Sequence, residues 1–251
     1  MSSMNKKTSI IILAAGKGVR MKSDLPKVAH TLAGKSLIER VVTTAETFDP
    51  NKIVVVVGYK QEVVKNCLKD FRNIDYIEQK EQLGTGHAVY VTEPLFRNFD
   101  GSIIIIPGDV PLLKEATLKT LLTVHTQKEA AATVLTVDLK DPTGYGRIVR
   151  NADGYVEKII EHKDATEEIR KIHEINTGIF CFDAKELFAT LPKITTENAQ
   201  KEMYLTDALE ILRKEDKPIA AVKAQNPIEV AGVNSKEQLA VLEKDFLNNH
   251  K

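Results

Sequence analysis

Residues 9–21 read SIIILAAGKGVRM, an apolar run that ends in a loop of small and basic residues. Such a run is typical of a parallel strand that is covered by helices on both faces. Further strands are predicted at residues 53–57, 74–77 and 103–106, with helical patterns between and after them near 36–47, 61–69, 86–93 and 115–126. This alternation predicts an α/β fold, namely a Rossmann-like, doubly wound, mostly parallel sheet. In such sheets ligands bind at the carboxyl ends of the strands, so the loops after the strands are the candidate sites.

The second part of the sequence has a different pattern. Residues 148–149 and 156–160 flank Asp153-Gly154 as a predicted hairpin, which indicates a small antiparallel extension of the sheet. Further strands are predicted at 131–137, 179–182, 219–224 and 229–230, and helices at 204–214 and 235–247. We expect one domain over residues 1–251, with a nucleotide-binding half at about 1–140, a sugar-binding half at about 141–233 and a C-terminal helix at 234–251.

Composition excludes several classes of protein. The 35 Lys and Arg residues balance the 35 Asp and Glu residues, so the chain lacks the basic field of a nucleic-acid-binding protein. No apolar stretch has the length of a membrane span, and the N-terminus does not read as a signal peptide. The two cysteines, Cys67 and Cys181, do not form a C-x-x-C pair and are expected to be packed thiols. We therefore expect a cytoplasmic protein without a nucleic-acid or membrane partner.

The loop after the first predicted strand has the features of an anion site. Its small residues allow a phosphate to approach the backbone N–H groups, and Arg20 and Lys27 add two positive charges. It is neither a G-x-x-x-x-G-K-[ST] loop nor a G-x-G-x-x-G loop. The loop is wide and basic, as suits a nucleoside triphosphate. The alternative is a tight strand-to-helix turn with lysines on its surface.

A second candidate loop follows the third predicted strand. Residues 81–88 read EQLGTGHA, so glycines flank Thr85 at the start of a helix, and Gln79 precedes the loop. The amide of Gln79 can both donate and accept hydrogen bonds, which suits the edge of a pyrimidine base. An exposed amide at a strand end is the alternative. His87 is assigned no chemical role, because a histidine in the first turn of a helix more often packs or caps.

A third loop, Pro107-Gly108-Asp109-Val110-Pro111, directly follows an apolar run. A carboxylate on a glycine turn at a strand end is well placed to bind a hard cation. Magnesium takes few protein carboxylates, and phosphate oxygens and waters complete its coordination. Asp109 is therefore a candidate Mg²⁺ ligand. The alternative is a turn-forming aspartate that bonds to its own backbone.

These loops and four later segments match a known family. The motifs LAAGKGVRM…LPK, EQLGTGHA, GDVPLL, DPTGYGRI, IEHKDAT, EINTGI and GVN occur in order between about residues 10 and 242. With them the chain resembles the uridylyltransferase domain of the bacterial N-acetylglucosamine-1-phosphate uridyltransferases. The resemblance implies a pyrophosphorylase fold of the glycosyltransferase-A-like type. It also implies transfer of a uridylyl group from UTP to N-acetyl-α-D-glucosamine 1-phosphate, with Mg²⁺ as cofactor.

The resemblance also implies roles for individual residues. Arg20, Lys27 and Asp109 would be catalytic, and Asp109 and Asn234 would ligate Mg²⁺. Nucleotide binding would involve Leu13, Ala14, Ala15, Gly16, Lys27, Gln79, Gly84, Thr85, Gly108 and Asp109. Sugar binding would involve Gly146, Glu161, Asn176, Tyr204, Thr206 and Asn234.

Some alternatives stay open at this stage. The acceptor could be another sugar 1-phosphate or a phosphoalcohol, and the chain could be a non-catalytic nucleotide-sugar sensor. Members of this family also carry a β-helix of hexapeptide repeats with acetyltransferase activity. No such repeat occurs in these 251 residues, so acetyl transfer is not expected of them.

Overall fold

The computed structural model describes residues 7–249, in which β-strands alternate with helices for most of the chain. The strands are β1 (Lys7–Leu13), β2 (Thr31–Leu32), β3 (Lys35–Ser36), β4 (Lys52–Val57), β5 (Ile74–Glu78), β6 (Gly101–Pro107), β7 (Ala132–Asp138), β8 (Arg147–Arg150), β9 (Val156–Ile160), β10 (Glu174–Asp183) and β11 (Ile219–Lys223). The helices are α1 (Leu37–Thr47), α2 (Gln61–Cys67), α3 (Thr85–Tyr90), α4 (Glu115–Gln127), α5 (Glu167–Arg170), α6 (Ala184–Thr190), α7 (Asp207–Lys214) and α8 (Lys236–Asn249).

Nine of these strands form one mixed sheet within the described range. Seven of them lie in the order β11-β7-β10-β6-β1-β4-β5, and β8 pairs with β10 and with β9. The pairs β6/β1, β1/β4, β4/β5 and β11/β7 are parallel, whereas β10 is antiparallel to both β6 and β7. The predicted fold class, a mostly parallel sheet with a small antiparallel extension, is confirmed.

Helices cover both faces of the sheet because the strands are apolar on both sides. Ile10 and Ile12 of β1 belong to a core with buried residues of α1, α2 and α4. Ile11, between them, belongs to a second core with α3, α6 and α7. Successive side chains of a strand point to opposite faces, which explains this division. Cys181 of β10 is fully buried, and burial raises the pKa of its thiol.

The parallel pairing brings the predicted loops to one edge of the sheet. In the ladder, Leu13 at the end of β1 is the partner of Pro107 at the end of β6 and of Val56 in β4. Val57, at the end of β4, is the partner of Glu78 at the end of β5. The loops that follow residues 13, 78 and 107 therefore leave the sheet side by side.

Two expectations for the second part of the chain are corrected by the structure. Residues 229–230 form a turn and not a strand. The Glu229 carboxylate accepts hydrogen bonds from the Lys114 N–H, at 3.2 Å, and from the Thr117 hydroxyl at the start of α4, while Val230 is buried in the core. The helix predicted from residue 204 begins at Asp207, because the preceding residues pack against the start of α3. In the part of the chain that the structure describes, each helix falls short of the length and apolar character of a membrane span.

Candidate active site

A cleft of about 520 Å³ opens at the carboxyl ends of β1, β5 and β6. Its walls come from both parts of the chain. Twelve of the predicted site residues line it, namely Leu13, Ala14, Ala15, Gly16, Lys27, Gln79, Gly84, Thr85, Asp109, Glu161, Asn176 and Thr206. Residues that are 193 positions apart in the sequence thus face one cavity.

Residues 14–18, called the glycine loop below, fold back so that Lys27 lies under them. Gly18 has a φ of +69°, and a Cβ atom built on it would lie 2.4 Å from the Cβ of Lys27. Only glycine fits both the left-handed backbone and this close approach. Gly16, by contrast, has open space around it, so the loop leaves room for a ligand above Ala14 and Ala15.

Lys27 joins two strand-end loops through its ammonium group. Its Nζ donates to Oδ2 of Asp109 in a short ion pair, and to Oδ1 of Asn234 at 3.1 Å. Arg20 donates from Nη2 to the same Asn234 oxygen at 2.8 Å. The Val233 N–H donates to the backbone oxygen of Asp109 at 2.9 Å, which holds the segment of Asn234 beside this loop. Two cationic groups and two oxygen-bearing side chains therefore converge at one point.

The same oxygens have the chemistry of a magnesium site. In the structure a positive group, the ammonium of Lys27, binds the Asp109 carboxylate and the Asn234 amide oxygen together. Mg²⁺ takes hard oxygen ligands and usually keeps several waters or phosphate oxygens, so two protein ligands suffice. Among the residues that the structure describes, no cluster of three His, Cys, Asp or Glu side chains offers an all-protein cage. The residues present thus fit a metal that is shared with phosphates.

The end of the cleft that Gln79, Gly84 and Thr85 line is held by a segment from the later part of the chain. The Met203 N–H donates to the Leu83 oxygen at 2.8 Å, and the Gly86 N–H donates to the Met203 oxygen at 2.7 Å. The Leu205 N–H donates to the Thr85 hydroxyl at 3.1 Å. This segment explains why residues 203–206 are not helical.

The opposite end of the cleft is polar and only partly exposed. Thr206 donates to Oε1 of Glu161 at 3.4 Å, and a Cβ atom on Gly146 would lie 3.1 Å from that oxygen. The Asn176 oxygen accepts from the Gly178 N–H at 2.9 Å, so its amide N–H groups can donate to a ligand. Asn176 lines the cleft at the point where the ladder of β10 with β7 becomes irregular, between Asn176 and Phe180.

Burial controls the protonation of groups around the cleft. Desolvation raises the pKa of Glu161, and the hydrogen bond from Thr206 opposes this rise. Desolvation also raises the pKa of Tyr145, a change that the negative charge of Asp109 increases and the positive charge of Arg20 decreases. A half-buried carboxyl and a half-buried hydroxyl can exchange hydrogen bonds with polar groups of a ligand.

Five predicted site residues lie beside the cleft but do not line it: Arg20, Gly108, Gly146, Tyr204 and Asn234. Arg20 and Asn234 contact the site through Lys27 and each other. Gly108 allows the close contact of the β1 and β6 ends, because a Cβ atom there would lie 3.0 Å from the Leu13 oxygen. Tyr204 accepts from the Gln200 amide at 2.9 Å.

Sequence reasoning missed several lining residues. They are Lys17, Gly18, Val19, Val28, Gln82, Ala88, Pro107, Gly178, Phe180, Glu202 and Leu205. Lys17, Gly18 and Val19 lie in or next to the glycine loop, and this position in the sequence could have predicted that they line the cleft. Phe180 and Glu202 reach the cleft through tertiary contacts that no local pattern reveals.

Comparison with known proteins identifies relatives of this chain. The family described as "Nucleotidyl transferase" matches residues 9–227. The chain is 50% identical to "Bifunctional protein GlmU" of Limosilactobacillus fermentum over 230 residues, which are 92% of this chain and 50% of that protein. It is 48% identical to the protein of the same name from Enterococcus faecalis over 93% of this chain and 51% of that protein. The chain thus spans about half the length of these curated relatives.

A solved structure with a similar fold supports the architecture alone. UDP-glucose pyrophosphorylase, solved with UDP-glucose, superposes with a TM-score of 0.79 at 19% identity and covers 97% of this chain and 99% of that chain. The resemblance inferred from the seven motifs is confirmed by the relatives and by the family match. The chain belongs to the nucleotidyl transferase family.

Proposed function

We propose that this chain transfers a uridylyl group from UTP to N-acetyl-α-D-glucosamine 1-phosphate, giving UDP-N-acetylglucosamine and diphosphate. The observation that carries the proposal is the convergence of Lys27, Arg20, Asp109 and Asn234 at a strand-end cleft. Such a cluster suits the charge of a reacting triphosphate. The 50% identity to a GlmU protein over most of this chain supports the choice of substrates.

The proposed reaction is an in-line displacement at the α-phosphorus of UTP. An oxygen of the sugar 1-phosphate forms the new P–O bond. The bond from the α-phosphorus to the bridging oxygen breaks, and its electron pair leaves with diphosphate. A phosphate monoester, with a second pKa of about 6, is largely ionised at neutral pH, so the attack needs no protein base.

The role of the protein in this reaction is to position the substrates and to neutralise charge. Lys27 and Arg20 would bind oxygens of the triphosphate, where negative charge is greatest in the transition state. The N–H groups of the glycine loop from Ala15 to Gly18 would surround the phosphates, whereas the Ala14 N–H is bonded to the Val56 oxygen. Pre-arranged donors of this kind lower the barrier, because they need no reorganisation during the reaction.

Asp109 and Asn234 would hold Mg²⁺, which the two side chains fit as a pair of hard oxygen ligands. When bound, the metal would act as a Lewis acid on the phosphates. Lys27 would then bond to phosphate oxygens in place of the Asp109 carboxylate.

The sugar phosphate would occupy the end of the cleft that Glu161, Asn176 and Thr206 line. The Glu161 carboxyl and the Asn176 amide can bind sugar hydroxyl or acetamido groups. Gly146 leaves space next to Glu161. The division of the chain into a nucleotide-binding and a sugar-binding half near residue 140, and its location in the cytoplasm, remain predictions from the sequence.

A diphosphate-release assay tests the proposal. Four nucleoside triphosphates are each combined with N-acetylglucosamine 1-phosphate, glucosamine 1-phosphate or glucose 1-phosphate in the presence of Mg²⁺. We expect release with UTP and N-acetylglucosamine 1-phosphate. Release with a different sugar phosphate alone would assign another acceptor, and no release with any pair would indicate a nucleotide-sugar sensor.

A further inference from the structure

The amide of Gln79 is held from two sides in the base end of the cleft. Its Nε2 donates to the Gly84 backbone oxygen at 3.0 Å and lies 3.2 Å from Nδ1 of His87. Gln79 is buried, with 4% of its surface exposed, and it lines the cleft. Its orientation therefore decides which atom a bound base would meet.

The chemistry of the two partners fixes that orientation. A backbone carbonyl oxygen can only accept, so the amide atom that faces Gly84 must be the nitrogen. The amide nitrogen has two N–H groups, and the second one points to His87 Nδ1, which accepts when its proton is on Nε2. Both donors of Gln79 are then used inside the protein. The carbonyl oxygen Oε1 is the group of this amide that remains for a ligand.

The Gly84 carbonyl is itself held in place. Gly84 has a φ of +107°, and a Cβ atom on it would lie 2.6 Å from the Met203 oxygen. The loop is further bound to Met203 through Leu83 and Gly86. His87 is the second partner of the Gln79 amide. Its side chain can be replaced without breaking the backbone bonds between this loop and Met203.

We propose that His87 is a positioning residue that fixes the Gln79 amide with its oxygen toward the base, so that the site accepts uracil and rejects cytosine. Uracil carries a hydrogen on N3 and can donate to Oε1, whereas N3 of cytosine is an acceptor and would face another acceptor. The inference rests on the proposed function in one respect, which is that the base binds at Gln79. It favours uridylyl transfer over cytidylyl transfer at this site.

Calorimetric titration with UTP and with CTP, both with Mg²⁺, tests this role without any sugar acceptor. We expect the unmodified protein to prefer UTP by roughly ten- to a hundredfold, the effect of one mismatched buried hydrogen bond. In His87→Ala the second N–H of Gln79 loses its partner, so the UTP/CTP ratio of affinities should fall about tenfold. In His87→Asn the side-chain oxygen can replace Nδ1 as acceptor, and the ratio should be largely restored.

A control on the same helix separates positioning from general loosening. Tyr90→Ala removes an exposed side chain at the end of α3 and should leave the UTP/CTP ratio unchanged. The proposal is overturned if the unmodified protein binds UTP and CTP equally, or if His87→Ala weakens both nucleotides by the same factor. Should His87→Ala fail to fold, His87→Asn and His87→Leu, compared with each other, give the same test. A protein that binds UTP selectively but releases no diphosphate would refute the proposed function and keep this inference.

Discussion

Replacing Gly18 by alanine would place a methyl group against Lys27. The new Cβ would lie 2.4 Å from the Cβ of Lys27, 3.2 Å from its Cγ and 3.4 Å from its Cα. Since carbon atoms pack at about 3.5–4.0 Å, the closest pair overlaps by about 1.1 Å or more. The atoms in conflict lie next to the backbone of Lys27, so a rotation of the flexible end of the side chain cannot relieve the overlap.

The displacement should move the ammonium group away from Asp109 and Asn234. A misplacement of about 1 Å in a catalytic group can lower the rate about 10²-fold. Alanine at the left-handed φ of Gly18 also costs roughly 1–2 kcal/mol of stability. Gly34→Ala is a matched control, because Gly34 has a φ of +80° and no atom within 4 Å of the added methyl group.

The assay combines steady-state diphosphate release with thermal unfolding of both variants. We expect Gly34→Ala to lose stability and keep its kcat/KM. Gly18→Ala should lose at least as much stability, together with about 10²-fold in kcat/KM. If the two variants have kcat/KM values within about threefold of each other, the argument from the contact with Lys27 is wrong.

Three further perturbations have defined outcomes. Lys27→Met keeps the length of the side chain but not its charge, so kcat in the diphosphate-release assay should fall about 10²–10³-fold. Lys35→Met, at an exposed position of β3, should have no effect. Burial, and then the negative charges of Glu210 and Asp164, raise the pKa of Asp207 from 3.8 to about 6. The neutral carboxyl therefore stabilises the folded state fully below pH 3.8, and this contribution is lost as the pH rises through 6. At pH 7.5 Asp207→Asn should therefore increase Tm over that of the unmodified protein by about 2–4 °C more than it does at pH 4.5, which corresponds to about 1 kcal/mol after allowing for solvent screening. An equal change in Tm at both pH values would contradict this. Thr206→Val removes the donor to Glu161 and should raise KM for the sugar phosphate about tenfold while KM for UTP stays constant; an equal rise in both would contradict the assigned position.

Much of the cleft at the ends of β1, β5 and β6 could be predicted from the sequence because its signals are local. Of the four parallel strands, β1, β4 and β6 are short runs rich in β-branched residues, whereas β5 reads IDYIE and is only partly buried. Each is followed by helix-period residues. Parallel pairing then places the loops after them at one edge, without further information. The loop residues from Leu13 to Gly16, together with Gln79 and Asp109, line the cleft for this reason.

The remaining features depend on contacts between distant segments. The sequence predicts a strand at residues 229–230, but the Glu229 carboxylate accepts a hydrogen bond from the Lys114 N–H at the start of α4, and the backbone there is a turn. Residues 203–206 have helical periodicity, yet the backbone of Met203 bonds to Leu83 and Gly86. Tertiary hydrogen bonds override local preference at both places.

His87 illustrates the same limit for a side chain. A histidine in the first turn of a helix gives no sign of its partner, and sequence reasoning assigned it no role. In the structure the Nδ1 atom of His87 lies 3.2 Å from the Gln79 amide nitrogen. The two residues are eight positions apart, so this contact depends on the course of the loop between them. The role proposed for His87 follows only from that distance and from the hydrogen bond of the Gln79 amide to the Gly84 oxygen.

We propose that uridylyl transfer takes place at the cluster of Lys27, Asp109 and Asn234. Phosphorus NMR of a reaction of UTP, N-acetylglucosamine 1-phosphate and Mg²⁺ tests it directly, with the unmodified protein and Asp109→Ala side by side. We expect the signals of UDP-N-acetylglucosamine and diphosphate to grow in equal amounts with the unmodified protein. With Asp109→Ala their rate should be about 10²–10³-fold lower. Product formation at the same Mg²⁺-dependent rate by both proteins would rule out the proposed role of Asp109 in this transfer.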